Sequence, residues 1–262
     1  MDTPWANIFA NPWIVAFQLS LVAYIFTDKR GYRAGLIALI ALWLHLTFGR
    51  YGWFDRYECY VNGFLLTLAF QSKTKLLQWP PESPVSAFVA IVSIGLGWLV
   101  LPTYVRRAQY VPIDANNIRV QQLQMHRFVV DYWKGSVAVN DLGWVSWQNP
   151  FYVLDLYGLG NSKSLQYRMT RSNSAWMDVL CKNYKVRLCM LYETWFPTLP
   201  PTWTRVGTLT RPGQDNRTAV SFFVTDPAAA PIVRAELAAF RSHLPKGATI
   251  TLDSIPASSA TL

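Results

Sequence analysis

Acidic side chains at particular spacings are the residues of this chain best suited to chemistry. Asp55 and Glu58 lie three apart within FGRYGWFDRYECYV (48–61), a spacing that places both on one side of a helix, where two carboxyls can divide acid and base roles. Arg50 and Arg56 adjoin them, so an ion-pair cluster is the simpler arrangement. Asp141, Asp155 and Glu193 follow or end three apolar runs, SVAVN, YVLDL and VRLCMLY. Ligands of open α/β sheets gather beyond the carboxyl ends of strands, which makes these acids candidates for a metal or a sugar hydroxyl. Loop capping, or pairing with Lys163, Arg168 or Arg171, is the competing account. His45 sits in an apolar segment as either a haem or metal ligand or a hydrogen-bonded packing residue; with no second ligand nearby, packing is preferred. Three cysteines make no disulfide framework. Cys181 and Cys189 read as two buried thiols, with a disulfide between them as the alternative. Asn216-Arg217-Thr218 fits a glycosylation sequon, whereas G-x-S-x-G, H-E-x-x-H, C-x-x-C and a glycine-rich phosphate loop are all missing.

The elements that carry these residues follow from composition. The 262 residues are 52% hydrophobic and 15% charged, with 24 Lys+Arg against 15 Asp+Glu. Soluble domains carry about 25% charge, so this composition points to a membrane. Twelve Trp, 13 Tyr and 14 Phe exclude a disordered chain. The basic excess has no accompanying nucleic-acid motif, and basic flanks of membrane helices explain it better. Charge divides near residue 107: nine basic and five acidic residues precede it in short clusters, and the remainder are scattered as in a soluble domain. Four apolar segments, 13–26, 34–48, 57–70 and 85–104, are read as membrane helices. Only the last reaches the roughly 20 residues a spanning helix needs, and 57–70 can instead be re-entrant. The first segment lacks the basic start and small-residue cleavage site of a signal peptide. Lys29, Arg30 and Arg33, then Lys73 and Lys75, mark two cytoplasmic loops, which puts the N-terminus and residues 108–262 outside; Arg106 and Arg107 oppose that orientation. Trp5, Trp13, Trp53 and Trp79 suit headgroup depth, while Trp43 and Trp98 lie deeper and can face lipid, a pigment or a neighbouring helix.

The second half alternates in type. Runs at 136–140, 152–156, 186–192, 203–209, 219–225 and 248–252 read as strands. A helix over 172–183 places Trp176, Val179 and Leu180 on its inner face, and Asp226-Pro227 opens another reaching about residue 243. The expected fold is therefore a bundle of about four transmembrane helices (1–107), a small extracytoplasmic α/β domain (108–255) and a flexible tail (256–262). Trp144, Trp147, Trp195 and Trp203 are expected at its surface, available to stack on sugars or dock a partner.

The segment 48–61 resembles the G-W-F-x-R-Y-E-x-Y stretch of bacterial integral-membrane sugar transferases of the GT-C superfamily. NNIRVQQLQMHRFVVDYWKGSVAVNDLGWVSWQNPFYVLDLYGLGNSKS (116–164), with its V-A-V-N-D-x-G and D-L-Y-G-L-G elements, is similar to their extracytoplasmic domain, as are LYETWF (191–196) and VSFFVTDP (220–227). The resemblance implies a bacterial inner-membrane location and ancestry among enzymes that transfer sugar from polyprenyl-phosphate donors. Their catalytic carboxylates lie in an outer loop and helices that would precede the first segment here. The expectation is thus a non-catalytic accessory subunit of a larger membrane complex, surrounded by lipid and other membrane subunits, with no cofactor. Half of a split transferase, using a polyprenyl-phosphate sugar, and an envelope carbohydrate-binding module are the alternatives; Asp55 and Glu58 are the only catalytic candidates.

Overall fold

The computed structural model describes residues 9–27, 31–52, 56–72, 83–171, 173–211 and 218–254. Asp55, Lys29, Arg30, Lys73, Lys75, Trp5, Trp53, Trp79, the Asn216-Arg217 portion of the sequon and the tail 256–262 lie outside the described residues. The chain divides into two compact units, Met1–Val111 and Pro112–Leu262.

Helices build the first unit. They are α1 (Pro12–Phe26), α2 (Tyr32–Phe48), α3 (Cys59–Ser72) and α4 (Pro84–Val120). Proline opens α1 and α4, where its missing N–H is no loss and its φ suits the first turn. Leu21, Val22 and Ile25 of α1 meet Ala38 and Leu42 of α2 and Val61, Leu65 and Ala69 of α3 in one buried cluster. Outside that seam these helices expose large apolar side chains, among them Ile37, Ile40, Trp43 and Phe70. The helix beginning at Pro84 is long and apolar enough to cross a membrane, whereas the other three are apolar and shorter. It does not stop near residue 104 but continues to Val120, then gives way to α5 (Gln122–Arg127) and a π-helical stretch, Phe128–Trp133.

The second unit is a six-stranded mixed sheet in the order β2-β1-β3-β5-β4-β6. Its strands are β1 (Val137–Val139), β2 (Val153–Asp155), β3 (Leu188–Leu191), β4 (Thr204–Thr210), β5 (Val220–Val224) and β6 (Thr249–Leu252). β2, β1 and β3 run parallel; β5 is antiparallel to β3 and β4, and β6 to β4. The helices are α6 (Gly143–Ser146), α7 (Ser162–Thr170), α8 (Ala175–Asn183) and α9 (Ala230–Arg241). Both faces of the sheet are covered, which is why the parallel strands read as unbroken apolar runs. Val137, Val139, Leu188, Met190 and Phe222 point to one face, against Phe128 and the α9 stripe Ala230, Val233, Leu237 and Phe240. Ala138, Leu154, Cys189 and Leu191 point to the other, against Trp176, Met177, Leu180 and Cys181 of α8. Val179 is therefore not on the inner face of α8: it is exposed, and Met177 and Cys181 fill the stripe.

Candidate functional site

Two polar constellations stand out, one in each unit. In the helical unit, Gln18 of α1 donates from Nε2 to Asn62 Oδ1 of α3 at 2.7 Å, and Asn62 Nδ2 donates to the Tyr104 hydroxyl of α4 at 2.7 Å. The Tyr51 hydroxyl donates to Gln18 Oε1 at 2.5 Å, extending the chain into the segment after α2. Glu58, fully buried, accepts from the Gly52 amide on Oε2 at 3.0 Å. His45 is buried, with Nδ1 2.5 Å from the Tyr60 hydroxyl and the Tyr51 and Tyr60 rings edge-on at 4.8 and 5.1 Å. Its Nε2 is buried with no hydrogen-bond partner among the described residues. A Cβ at Gly49 would lie 2.4 Å from His45 Nδ1, so only glycine lets the imidazole fold over the end of α2.

Within the 48–61 motif, Tyr51, Tyr60 and Val61 reach residues of α1 and α2. Each amide or phenol here satisfies a polar group that lipid or packed apolar side chains would leave stranded. Glu58 accepts from a loop amide on one oxygen. Asp55, its expected companion, lies outside the described residues. Gln18, Asn62 and Tyr104 are not among the sequence-based candidates. Their signal was available: a glutamine and an asparagine inside otherwise apolar helices call for partners.

The second constellation is the carboxyl edge of the parallel strands. Because β1 is followed by β2 on one side and β3 joins on the other, the order reverses between β1 and β3, where sheets of this kind open a crevice. Asp155 ends β2, and its two oxygens accept from three loop amides: Tyr157 N at 2.8 Å, Gly158 N at 2.9 Å and Gly160 N at 2.6 Å. It is 3% exposed, so the carboxylate is spent on the D-L-Y-G-L-G loop. Glu193 follows β3 and takes Ser221 Oγ at 2.5 Å and Arg205 Nη1 at 3.1 Å on one oxygen. Arg205 also donates from Nε to Asp253 Oδ2 at 2.7 Å, and this bond, then Glu193, holds its guanidinium above the ordinary arginine range.

Asp141 is half-buried after β1, close to Tyr192. Burial first, and the Asp141 charge second, push the Tyr192 phenol far above its usual range, with Arg211 opposing. That phenol accepts from Gln122 Nε2 at 2.8 Å and donates to Gln121 Oε1 at 3.2 Å, while Asn140 Oδ1 takes the Tyr192 amide at 3.1 Å. The edge thus gathers Asn140, Asp141, Tyr192, Gln121 and Gln122, and keeps Asp155 and Glu193 apart in separate structural roles. Among the described residues, no three His, Cys, Asp or Glu side chains converge to hold a metal ion.

The four outer tryptophans divide. Trp144 and Trp147 are exposed. Trp195 is half-buried, stacked on Tyr192 and edge-on to Tyr157. Trp203 is buried at 7% exposure and donates from Nε1 to Asp178 at 3.3 Å, because it packs beneath Phe223 in the α8 face of the core. In the helical unit, Trp43 and Trp98 are both exposed. Cys181 and Cys189 face each other with their sulfurs 3.8 Å apart, both buried and both thiols. Burial, then the Cys181 contact, pushes the Cys189 thiol well above the usual range.

Residues 116–223 match the model of a family described as a domain of unknown function, DUF8728. The matched segment begins within α4 and ends in β5, so it takes in both sides of the β1/β3 crevice. No curated protein and no solved structure matches the chain.

Proposed function

We propose that this chain is a non-catalytic, multi-pass accessory subunit of a bacterial cytoplasmic-membrane complex, related to GT-C sugar transferases and carrying its α/β unit on the outer side. The observation that carries this reading is the fate of its acids. Asp155 is consumed by three backbone amides, Glu193 by Arg205 and Ser221, and Glu58 accepts from a backbone amide. A general acid or base must keep an oxygen within reach of a substrate proton; both oxygens of Asp155 are committed to the fold, as is one oxygen each of Glu193 and Glu58. The membrane setting is supported by Phe88, Ile91, Ile94, Trp98 and Leu101, which α4 leaves exposed along its length. In water such a surface drives association; in lipid or against a partner helix it is at no disadvantage.

Extraction from native membranes in mild detergent, size separation and mass spectrometry of co-migrating chains test the reading. Co-migration with a defined, larger membrane assembly is the expected result; a chain that migrates alone refutes it. The reading of a split transferase has one observation in its favour: buried Glu58 lies within the transferase-like motif, and buried His45 meets Tyr51 and Tyr60 of that motif. A single co-migrating membrane chain together with sugar transfer from a polyprenyl-phosphate donor would decide for that alternative.

A further inference from the structure

The carboxyl edge of the sheet carries a feature that the acids do not use. Trp144 of α6, Trp147 at its end, Leu159 in the loop after β2, and Leu165 and Met169 of α7 are all exposed; Trp147 and Leu159 reach 61% and 69%. They share one rim. β1 and β2 are parallel neighbours, so the segments following them leave the same edge. A Cβ at Gly160 would lie 3.0 Å from Leu142, and one at Gly158 would lie 2.6 Å from the Leu165 backbone, which binds loop to loop and loop to helix. Asn161 caps α7 by accepting from the Lys163 and Ser164 amides, fixing the helix beside the loop.

Charge on this rim has one dominant sign. Lys163 and Arg171 are exposed on and just beyond α7. The Arg168 guanidinium lies 3.9 Å over the Tyr157 ring, and Arg171 lies 4.4 Å over Tyr167. Of the carboxylates on the same edge, Asp155 is turned inward onto amides, Glu193 is paired with Arg205, and Asp141 is half-buried close to Tyr192.

We propose that this rim is a lipid-contact face: Trp144, Trp147 and Leu159 enter the headgroup layer of a bilayer containing anionic lipid, and Lys163 and Arg171 meet its phosphates. Indole rings are at home at that depth, where one edge is apolar and the N–H remains wet. Basic side chains flanking them add attraction that falls off within a Debye length. The inference rests on the chain being held in a membrane and goes further, giving the α/β unit a lipid contact of its own.

The test places a nitroxide at single cysteines in the full chain, with Cys59→Ser removing the exposed native thiol, reconstituted in nanodiscs of phosphatidylcholine with or without phosphatidylglycerol. Labels go at Trp147→Cys and Leu159→Cys on the rim, at Ile94→Cys on α4, and at Lys182→Cys at the end of α8, near the opposite edge of the sheet. Collisions with oxygen report lipid, and collisions with a charged nickel chelate report water. The rim labels should be oxygen-rich in anionic discs and the Lys182 label nickel-rich. Lys163→Gln and Arg171→Gln should each lower the lipid-contacting population by about fivefold. If the rim labels match Lys182 while Ile94 reports lipid, the rim proposal is overturned and the membrane reading survives. Should Ile94 itself be nickel-rich, both fall. Rim labels that are shielded from both probes only when native partners are present mean a protein interface, which also overturns the lipid assignment.

Discussion

Asp155→Asn asks whether that carboxylate clamps a loop or waits for a ligand. In the native chain one oxygen serves the Tyr157 and Gly158 amides and the other serves Gly160 at 2.6 Å. Asparagine keeps an oxygen for the first two but sets an NH2 group against the Gly160 N–H. One charge-assisted bond is lost, at about 1.5–3 kcal/mol, and the remaining two weaken to neutral strength. The expected cost is about 2–3 kcal/mol for asparagine, and about 4 kcal/mol for Asp155→Ala, which strands all three amides. For a unit of this size each kcal/mol moves Tm by roughly 3–4 °C, so asparagine should lower the melting point by about 6–12 °C. Tryptophan-fluorescence melts of the full chain in detergent, with hydrogen exchange followed at the Tyr157, Gly158 and Gly160 amides, measure both halves of the argument. An unchanged melt with unchanged exchange would refute the clamp and return Asp155 to the ligand candidates.

Other perturbations separate the remaining claims. Asn62→Leu breaks the links to Gln18 and Tyr104 and should destabilise the helical unit by about 1–2 kcal/mol, against about 0.6 kcal/mol for Tyr104→Phe; unfolding in graded detergent mixtures, followed by circular dichroism, gives both values. Maleimide applied to the folded chain should add one adduct, at exposed Cys59, and three after denaturation; early modification of Cys181 or Cys189 would contradict their burial. Because burial raises the Cys189 thiol above its ordinary value of 9.0, the folded chain keeps a proton that the unfolded chain releases. Its contribution is whole below about pH 9 and is lost above it at up to about 1.4 kcal/mol per pH unit, a slope that Cys189→Ala should remove from a series of melts. Arg205→Ala removes two ion pairs that are about half exposed and should cost less than about 1 kcal/mol; a loss several times larger in the same melts would mean a tighter network than the Glu193–Arg205–Asp253 geometry supports.

Local composition already carried much of the fold. Apolar β-branched runs marked all six strands within a residue or two, since a strand covered on both faces needs apolar side chains throughout, and Pro227 and Asp226 marked the approach to α9. Helix α7 escaped notice because SKSLQYRMT carries too few apolar residues for periodicity to show; it is held by the Asn161 cap and by its loop contacts. The inner face of α8 was misassigned at Val179, where Met177 and Cys181 take the core positions, because a nine-residue helix with apolar residues on several sides does not declare its rotation.

For the candidate sites the division is sharper. The residue types were all visible in the chain: acids at strand ends, a histidine in an apolar helix, tryptophans in loops. Which groups meet was not visible, because Gln18 and Asn62, Gln122 and Tyr192, and Glu193 and Ser221 are brought together only by helix packing and strand order. An isolated carboxylate reads as available for chemistry. Its partners turn it into a loop clamp or an ion pair, and those partners are chosen by the tertiary fold.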